Sequence, residues 1–455
     1  MVIKIPKLKI FLWTLVVITT AMAFPLQVYS GTPYPSLFPY FFIGLIFVLN
    51  AISFRKTGWS KSSVLPKNNI GNMLRIYLVL VFTQTIIHNF FGIISLYESF
   101  SIFVIYVFPV LFYCYFRELA TEKEIKIILQ VMAFSALLIG IYFAYESYIK
   151  LSQFKLTDYA IKAFEYSFAQ SGAEYTNASF NDGRIQLGIR SFGLLDSHSV
   201  SSAWIIIGAI SSLALVDKGK KSLRLIIILG NAILLLLTLN FTSILAYLFI
   251  IFFIEFNGFS LFKLRVTHKL MINGAISVFL LYLFVEYSSY FLGDKMADFI
   301  TKNLKGQSEF ALGNSIQNVS YLDIIFNNIW GYIDHIFTLP HSLLFGDGFG
   351  SFGLKKGGDI GFIESLAKFG LPYFITLLYG IFVLIFSGLK EIRSLKIKAI
   401  SNSSMNLSFL QFAVSFMVLI LIMEIHYSVW YSKSILPFFF FSLALFDRYL
   451  NNKSL

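Results

Sequence analysis

Residues 341–370 read HSLLFGDGFGSFGLKKGGDIGFIESLAKFG, a glycine-dense loop that runs into an apolar stretch. The loop carries Asp347 and Asp359 together with Lys355 and Lys356. Most of the remaining chain consists of apolar runs, so few other stretches carry the polar side chains that an active site needs. We therefore expect this loop to form one wall of any active site, and we expect the helix after it to be long and continuous.

The composition of the whole chain is that of a membrane protein. Its 455 residues are 57% hydrophobic and 13% charged, with a mean hydropathy of +0.74, whereas soluble domains carry about 25% charged residues. A span of about 20 apolar residues crosses a bilayer as a helix, because its backbone must satisfy itself without water. The sequence thus predicts an all-α polytopic integral membrane protein with a single membrane domain, residues 1–455.

The apolar runs predict about twelve transmembrane helices. We place them at residues 10–28, 35–54, 72–91, 93–116, 126–149, 198–216, 223–239, 241–257, 270–291, 361–387, 407–427 and 432–447. The first resembles a signal peptide, with Ala21-Met22-Ala23 as a possible cleavage site, but in a chain with many later spans we expect an uncleaved helix. The break between the seventh and eighth spans rests only on Asn240, Thr242 and Ser243.

Lysine and arginine collect in alternate loops, which places both termini in the cytoplasm. The net charge of +12 follows from this topology, so we expect a lipid bilayer and no nucleic acid as partner. Two long loops, residues 150–197 and 292–360, then lie on the outer side. Apolar residues at helical spacing predict an amphipathic helix in each: Ile161, Phe164 and Phe168 in the first, after the capping residues Thr157 and Asp158, and Val319, Leu322, Ile325, Phe326 and Ile329 in the second.

Several kinds of chemistry are not indicated. Cys114 is the single cysteine, so neither an internal disulfide nor a cysteine metal cage is expected. The glycine series that includes Gly346 and Gly348 lacks the strand of a dinucleotide fingerprint and the G-K-[ST] of a P-loop. The histidines match no metal motif, and short cytoplasmic loops leave no room for an ATP-binding domain. We expect no metal and no cofactor.

Ionisable residues stand at the outer ends of the predicted spans, where charge is costly and usually functional. They are Glu98, Glu146, Glu286, Glu364, Lys368 and Glu424. Glu364 and Lys368 are spaced i,i+4, which is compatible both with mutual neutralisation and with a role in binding substrate.

A second polar cluster, residues 184–198, precedes the sixth span and has the sequence RIQLGIRSFGLLDSH. Arginine offers a planar fork for phosphate oxygens, so Arg184 and Arg190 are candidate diphosphate ligands, with snorkelling to lipid headgroups as the alternative. His198 and His341 are the strongest candidates among the histidines, because each lies where a long outer loop meets or approaches a span.

These two clusters resemble the superfamily of O-antigen polymerases (Wzy) and O-antigen ligases (WaaL). Arg190, Gly193 and His198 resemble its arginine–glycine–Asn/His segment ahead of a helix. Residues 344–352 (LFGDGFGSF) resemble its glycine-rich signature, and residues 359–363 (DIGFI) and 369–371 (FGL) resemble the two short motifs after that signature. The resemblance covers the spans and the large outer loop, in the same order.

The resemblance implies a metal-independent membrane glycosyltransferase with a GT-C type architecture and two periplasmic loops, working in the bacterial cytoplasmic membrane. Its substrate would be an undecaprenyl-diphosphate-linked oligosaccharide, and a chain-length regulator would be a further partner. Asp359 would be the base, Arg190 the first phosphate ligand and His341 a further catalytic group. The expected substrate-binding residues are Arg184, His198, Lys355, Lys356, Gly346, Gly348, Glu364 and Lys368.

Two departures from the family pattern bear on function. Asp359-Ile360 stands where ligases carry a His-Asn pair, which favours a polymerase over a ligase. The arginine that many relatives place early in the large loop has no counterpart among residues 312–322, so the second phosphate-binding cation stays open. The alternatives are a ligase and a flippase for lipid-linked oligosaccharides. A flippase should bring charge near mid-bilayer and interrupt spans in both halves.

Overall fold

The computed structural model describes residues 5–54, 65, 68–90, 95–153, 157–171, 193–195, 197–238, 240–255, 309–310, 317–318, 329–334, 341–346, 361–398, 404–425 and 428–451. Helix is the main structure throughout these residues, as expected for apolar runs that must pair their own backbone groups.

The first half of the chain supplies a series of long helices. They are α1 (Ile5–Ser30), α2 (Phe38–Phe54), α3 (Asn69–Phe90), α4 (Leu96–Glu118), α5 (Glu122–Gln153) and the shorter α6 (Asp158–Ser171). A 3₁₀ turn, Tyr34–Leu37, joins α1 to α2. The amphipathic helix predicted in the first long loop is confirmed as α6, and Thr157 caps it by accepting a hydrogen bond at Oγ1 from the Ala160 N–H, at 3.2 Å.

The second half contains both long and very short helices. They are α7 (His198–Leu215), α8 (Lys221–Thr238), α9 (Phe241–Phe249, continued by a π-helical turn at Ile250–Glu255), α10 (329–334), α11 (His341–Phe345), α12 (Gly361–Phe369), α13 (Leu371–Lys398), α14 (Ser404–Met423) and α15 (Leu436–Asn451). The predicted break near Asn240 is confirmed, since Asn240 caps α9 through its side chain.

One short hairpin departs from the predicted all-α fold within the described residues. Strands β1 (Glu309–Phe310) and β2 (Gln317–Asn318) pair antiparallel, with Glu309 opposite Asn318. It lies in the second long loop, residues 292–360. The helix predicted in that loop lies outside the described residues, except that Ile329 begins α10.

Seven of the described helices have the length and apolar character to cross a membrane. Their spanning segments are Leu8–Ser30, Asn69–Phe90, Ser99–Glu118, Glu122–Ile149, His198–Leu215, Lys221–Thr238 and Leu371–Ile392. Three shorter apolar helices, Tyr34–Leu49, Thr242–Phe252 and Leu407–Met423, accompany them. The predicted span 270–291 lies outside the described residues. These helices identify an integral membrane protein.

Helix α7 is the centre of the bundle. Nearly all of its side chains are buried, whereas α8 leaves one apolar face exposed. A helix that is apolar on every side and buried on every side belongs in a core. Trp204 of α7 packs edge-on against Phe438 of α15, with ring centroids 5.2 Å apart. The elements that carry candidate site residues are arranged around this core.

The bundle has two ends, and buried polar contacts mark each of them. At one end, here called the Asp447 end, both carboxylate oxygens of Asp447 accept hydrogen bonds: Oδ1 from Asn68 Nδ2 at 2.6 Å, and Oδ2 from Tyr113 at 2.6 Å. Oδ2 also pairs with Arg117 Nε at 2.7 Å. These bonds join α15 to α4 and to the start of α3. The other end, where α7 begins, is called the His198 end below.

Candidate functional site

Two short helices, α11 and α12, are the described parts of residues 341–370, the stretch expected to form a wall of the site. Each ends at a glycine with positive φ, Gly346 at +67° and Gly370 at +76°. The two turns lie against one another: a Cβ on Gly370 would lie 2.5 Å from the Leu344 carbonyl oxygen, and a Cβ on Gly346 would overlap the Lys368 carbonyl. Only glycine combines this conformation with so close an approach.

The continuous helix predicted for residues 361–387 is wrong, because Gly370 divides it into α12 and α13. Glycine is tolerated inside helices, so its presence in the sequence did not require a break. The break fits the local sequence, because Pro372 has no N–H for the Lys368 carbonyl and Gly370 can adopt positive φ at the end of α12. Glu364 and Lys368 thus stand on a separate helix of nine residues.

Gln84 of α3 fastens both short helices at their C-terminal ends. Its Nε2 donates to the carbonyl oxygen of Phe345 and to that of Lys368, the latter at 3.3 Å. Free carbonyls at helix ends need such donors, above all where water is excluded. The sequence analysis did not single out Gln84, although a glutamine inside an apolar span is itself a signal of a buried polar contact.

The α12 C-terminus lies inside the hydrophobic layer. Gln84 and Tyr77 flank the midpoint of α3, a helix long enough to cross about 30 Å of hydrocarbon. Lys368 contacts Gln84, and Tyr373, in the first turn of α13, packs against Tyr77 with centroids 5.8 Å apart. The α12 C-terminus therefore lies beside the last third of α3, on the side of the His198 end, and α13 continues from there towards the Asp447 end.

Glu424, directly after α14, anchors the other end of α12. Its carbonyl oxygen accepts from the Phe362 N–H at 2.9 Å. Its carboxylate accepts from Ser365 at 2.9 Å and from Ser428 at 2.5 Å. Glu424 was predicted as an ionisable residue at a span end, without a partner, and the two serines that complete its hydrogen bonds were not predicted.

Glu364 and Lys368 form the ion pair that their spacing predicts. Lys368 Nζ lies 2.9 Å from Glu364 Oε1 and donates to the Tyr431 hydroxyl at 2.8 Å. The ammonium also lies 4.0 Å from the centroid of the Tyr431 ring. Tyr431 comes from the segment between α14 and α15, so the pair joins α12 to the end of the bundle core.

A second polar region surrounds the start of α7. Glu146 of α5 accepts at Oε2 from the Gly193 N–H at 2.7 Å, and the Tyr159 hydroxyl of α6 donates to the Leu194 carbonyl at 2.7 Å. The segment that follows Arg190 is thereby tied to α5 and α6. Ser197 caps α7, and His198 is its first residue. Glu146 was predicted at a span end, and its contact with Gly193 was not.

The two regions meet at the α7–α14 contact. Ser202 of α7 and Ser243 of α9 share a hydrogen bond of 2.6 Å, and Ser243 Oγ lies 3.3 Å from Met423 Sδ. Met423 directly precedes Glu424. The helix that begins at His198 and the anchor of α12 are therefore neighbours around one buried polar cluster.

Several predicted site residues lie outside the described residues: Arg184, Arg190, Gly348, Lys355, Lys356 and Asp359. The backbone of His341 begins α11, and its side chain is not among the described ones. The structure brings Gly346, Glu364 and Lys368 together on the α11–α12 pair and places His198 at the start of α7. The described residues contain no group of histidine, cysteine, aspartate or glutamate side chains suited to hold a metal ion.

No protein-family model matches this chain, and no curated protein sequence matches it. The chemistry of the site therefore rests on its own residues. The described residues of this region offer the ammonium of Lys368, the partly exposed carboxylate of Glu364, the buried carboxylate of Glu424 and several hydroxyls.

Proposed function

We propose that this chain is a polysaccharide polymerase that moves a growing glycan from undecaprenyl diphosphate onto a lipid-linked repeat unit. The observation that supports the proposal is the α11–α12 pair, which holds Glu364 and Lys368 within the hydrophobic layer near the His198 end. A substrate with a lipid tail and a polar headgroup would approach such a site from the bilayer. The twelve-span, GT-C type architecture and the outward orientation of the His198 end in a bacterial cytoplasmic membrane belong to the same proposal.

In this reaction an acceptor hydroxyl attacks the anomeric carbon, its oxygen bonds to that carbon, and the bond to the diphosphate oxygen breaks. The hydroxyl proton passes to a base, for which we propose Asp359. The lipid diphosphate leaves with the bonding electron pair, and Arg190 stabilises its charge. Arg184, Lys355 and Lys356 are candidates for a second cation from the loops, and His341 is a further catalytic candidate.

A flippase for lipid-linked oligosaccharides is the second candidate. The helix interrupted at Gly370, with Lys368 beside the last third of α3, is a feature that transporters use at their binding sites. A matching interrupted pair in the first half would be expected of a transporter, and the described helices α1 to α5 run without one.

Deletion of the gene, followed by gel analysis of surface and lipid-linked glycans, separates the candidates. A polymerase predicts single repeat units at the surface in place of long chains, because export and ligation continue. A flippase predicts no surface glycan and lipid-linked units that accumulate inside the cell. Long chains that stay on the lipid carrier would indicate a ligase, and an unchanged ladder would overturn all three.

A further inference from the structure

The carboxylate of Glu364 differs from other buried carboxylates in how completely it is hydrogen-bonded. Both oxygens of Asp447 accept hydrogen bonds, as do both oxygens of Glu124 and both of Glu424. Glu364 Oε1 pairs with Lys368, but its Oε2 is buried and has no partner in the described part of the chain. Glu364 is thus the exception among these four described acids.

A carboxylate oxygen without a hydrogen-bond donor lowers the stability that an ion pair can contribute to the fold. A buried pair stabilises a fold only when its remaining lone pairs are also satisfied, and a buried acceptor without a donor costs about 1–3 kcal/mol. Hydroxyl groups of a ligand are suitable donors. The unused acceptor position at Oε2 therefore points to a ligand that carries hydroxyls.

The same pair is also open to a ligand on its cationic side. The side chain of Lys368 is 21% exposed, like the 22% of Arg117 in the Asp447–Arg117 pair, and Glu364 is 18% exposed where Asp447 is 1% exposed. Lysine binds phosphate as a point charge. A single sugar–diphosphate unit offers both an anionic oxygen for Lys368 and hydroxyl donors for Glu364.

We propose that Glu364 and Lys368 form an exchangeable ion pair that binds the sugar–diphosphate headgroup of a lipid-linked glycan. A diphosphate oxygen replaces Glu364 Oε1 on Lys368 Nζ, and the released carboxylate accepts hydrogen bonds from hydroxyls of the attached sugar. Lys368 is thereby the second phosphate-binding cation that the sequence left open. The inference rests on the proposed polymerase function and extends it to the headgroup site.

Exchange predicts opposite effects for the two partners. Glu364 competes with the diphosphate for Lys368, so Glu364→Gln should strengthen binding of the bare lipid diphosphate. Lys368→Gln removes the cation and should weaken the same binding. A purely structural pair predicts instead that both substitutions lower stability and weaken binding together.

The test uses the purified full chain in nanodiscs and two probes, undecaprenyl diphosphate and the same lipid bearing N-acetylglucosamine. Lys368→Gln should weaken binding of both by about tenfold, the equivalent of 1.4 kcal/mol. Glu364→Gln should tighten binding of the bare diphosphate several-fold, the range of a partly exposed charge pair, and reduce the added affinity that the sugar gives, because an amide oxygen accepts weaker hydrogen bonds than a carboxylate. Glu118→Gln is the matched control, because Glu118 also forms an ion pair, with Arg117 at 2.7 Å, and that pair lies away from this site.

Each outcome decides the question. Unchanged binding in Lys368→Gln, or weaker binding in Glu364→Gln, would overturn the proposal, and tighter binding cannot arise from misfolding. Competition by phosphatidylglycerol as strong as by the diphosphate lipid would overturn it too, since Lys368 would then bind phospholipid headgroups. Diphosphate binding that depends on Lys368, in a protein whose deletion leaves the glycan ladder unchanged, would uphold the site and refute the polymerase.

Discussion

Gln84 Nε2 lies 3.3 Å from the carbonyl oxygen of Lys368, across 284 positions of the chain. The same nitrogen donates to the carbonyl of Phe345. One side chain of α3 thus donates hydrogen bonds to the C-terminal carbonyls of both short helices. Gln84 is buried, so water does not supply these hydrogen bonds in its place. Gln84 thereby binds the end of the helix that carries both Glu364 and Lys368.

Gln84→Leu should destabilise the protein by about 2 kcal/mol, since it removes two hydrogen bonds worth about 1 kcal/mol each. Thermal unfolding of the purified protein in detergent measures the change. Thr85→Val is the matched control, because the Thr85 hydroxyl donates to the Val81 carbonyl of its own helix, at 2.7 Å. Equal effects of the two substitutions would contradict the role given to Gln84.

Gly370→Ala should be among the most damaging glycine substitutions. A residue with Cβ at positive φ costs about 1–2 kcal/mol, and here the added atom would also lie 2.5 Å from the Leu344 oxygen. Gly230→Ala in α8 is the control: a Cβ there meets nothing within 4 Å, and alanine favours helix by about 0.5–1 kcal/mol. Unfolding temperatures should therefore move in opposite directions.

Ser365→Ala should cost about 1–3 kcal/mol, because it leaves a buried oxygen of Glu424 without its donor. The substitution removes the bond at 2.9 Å from Ser365 Oγ to Glu424 Oε2, together with the contacts of the same hydroxyl with Ser428 Oγ at 2.9 Å and with Trp430 Nε1 at 3.3 Å. Ser442→Ala provides the comparison, since the Ser442 hydroxyl donates to the Phe439 carbonyl in its own helix. The anchoring role of Glu424 predicts a clearly lower unfolding temperature for the Ser365 variant than for the Ser442 variant.

Asp359→Asn should reduce chain growth by about 10²–10⁴-fold, the range for loss of a general base, while the protein stays inserted and abundant. The glycan ladder of complemented deletion cells is the measurement. Asp334→Asn, an exposed substitution in α10, should leave the ladder unchanged. Normal polymer from the Asp359 variant would remove this residue from the mechanism.

Arg190→Lys should also impair chain growth severely, because lysine keeps the charge but loses the planar fork that holds two phosphate oxygens. Arg75→Lys serves as the control, since Arg75 bonds to Asn72 and Leu65 near the start of α3. Glycan chains of wild-type length in the Arg190→Lys variant would contradict this prediction. They would show that position 190 needs only a positive charge and not the guanidinium group.

The sequence by itself determined the features that depend on local pattern. Apolar runs fixed the membrane class, Asn240 marked the break before α9, Thr157 marked the start of α6, and the i,i+4 spacing fixed the Glu364–Lys368 pair. Each is decided within one or two helical turns, where backbone hydrogen bonds and side-chain spacing act.

Only the tertiary structure decided how these pieces form a site. The turn at Gly370 lies against the end of α11, Gln84 meets its partners far along the chain, and Glu424 finds Ser365 on another helix. Nothing near these residues in sequence specifies such contacts. They exist because buried polar groups in a membrane must find donors and acceptors wherever the packed helices bring them together.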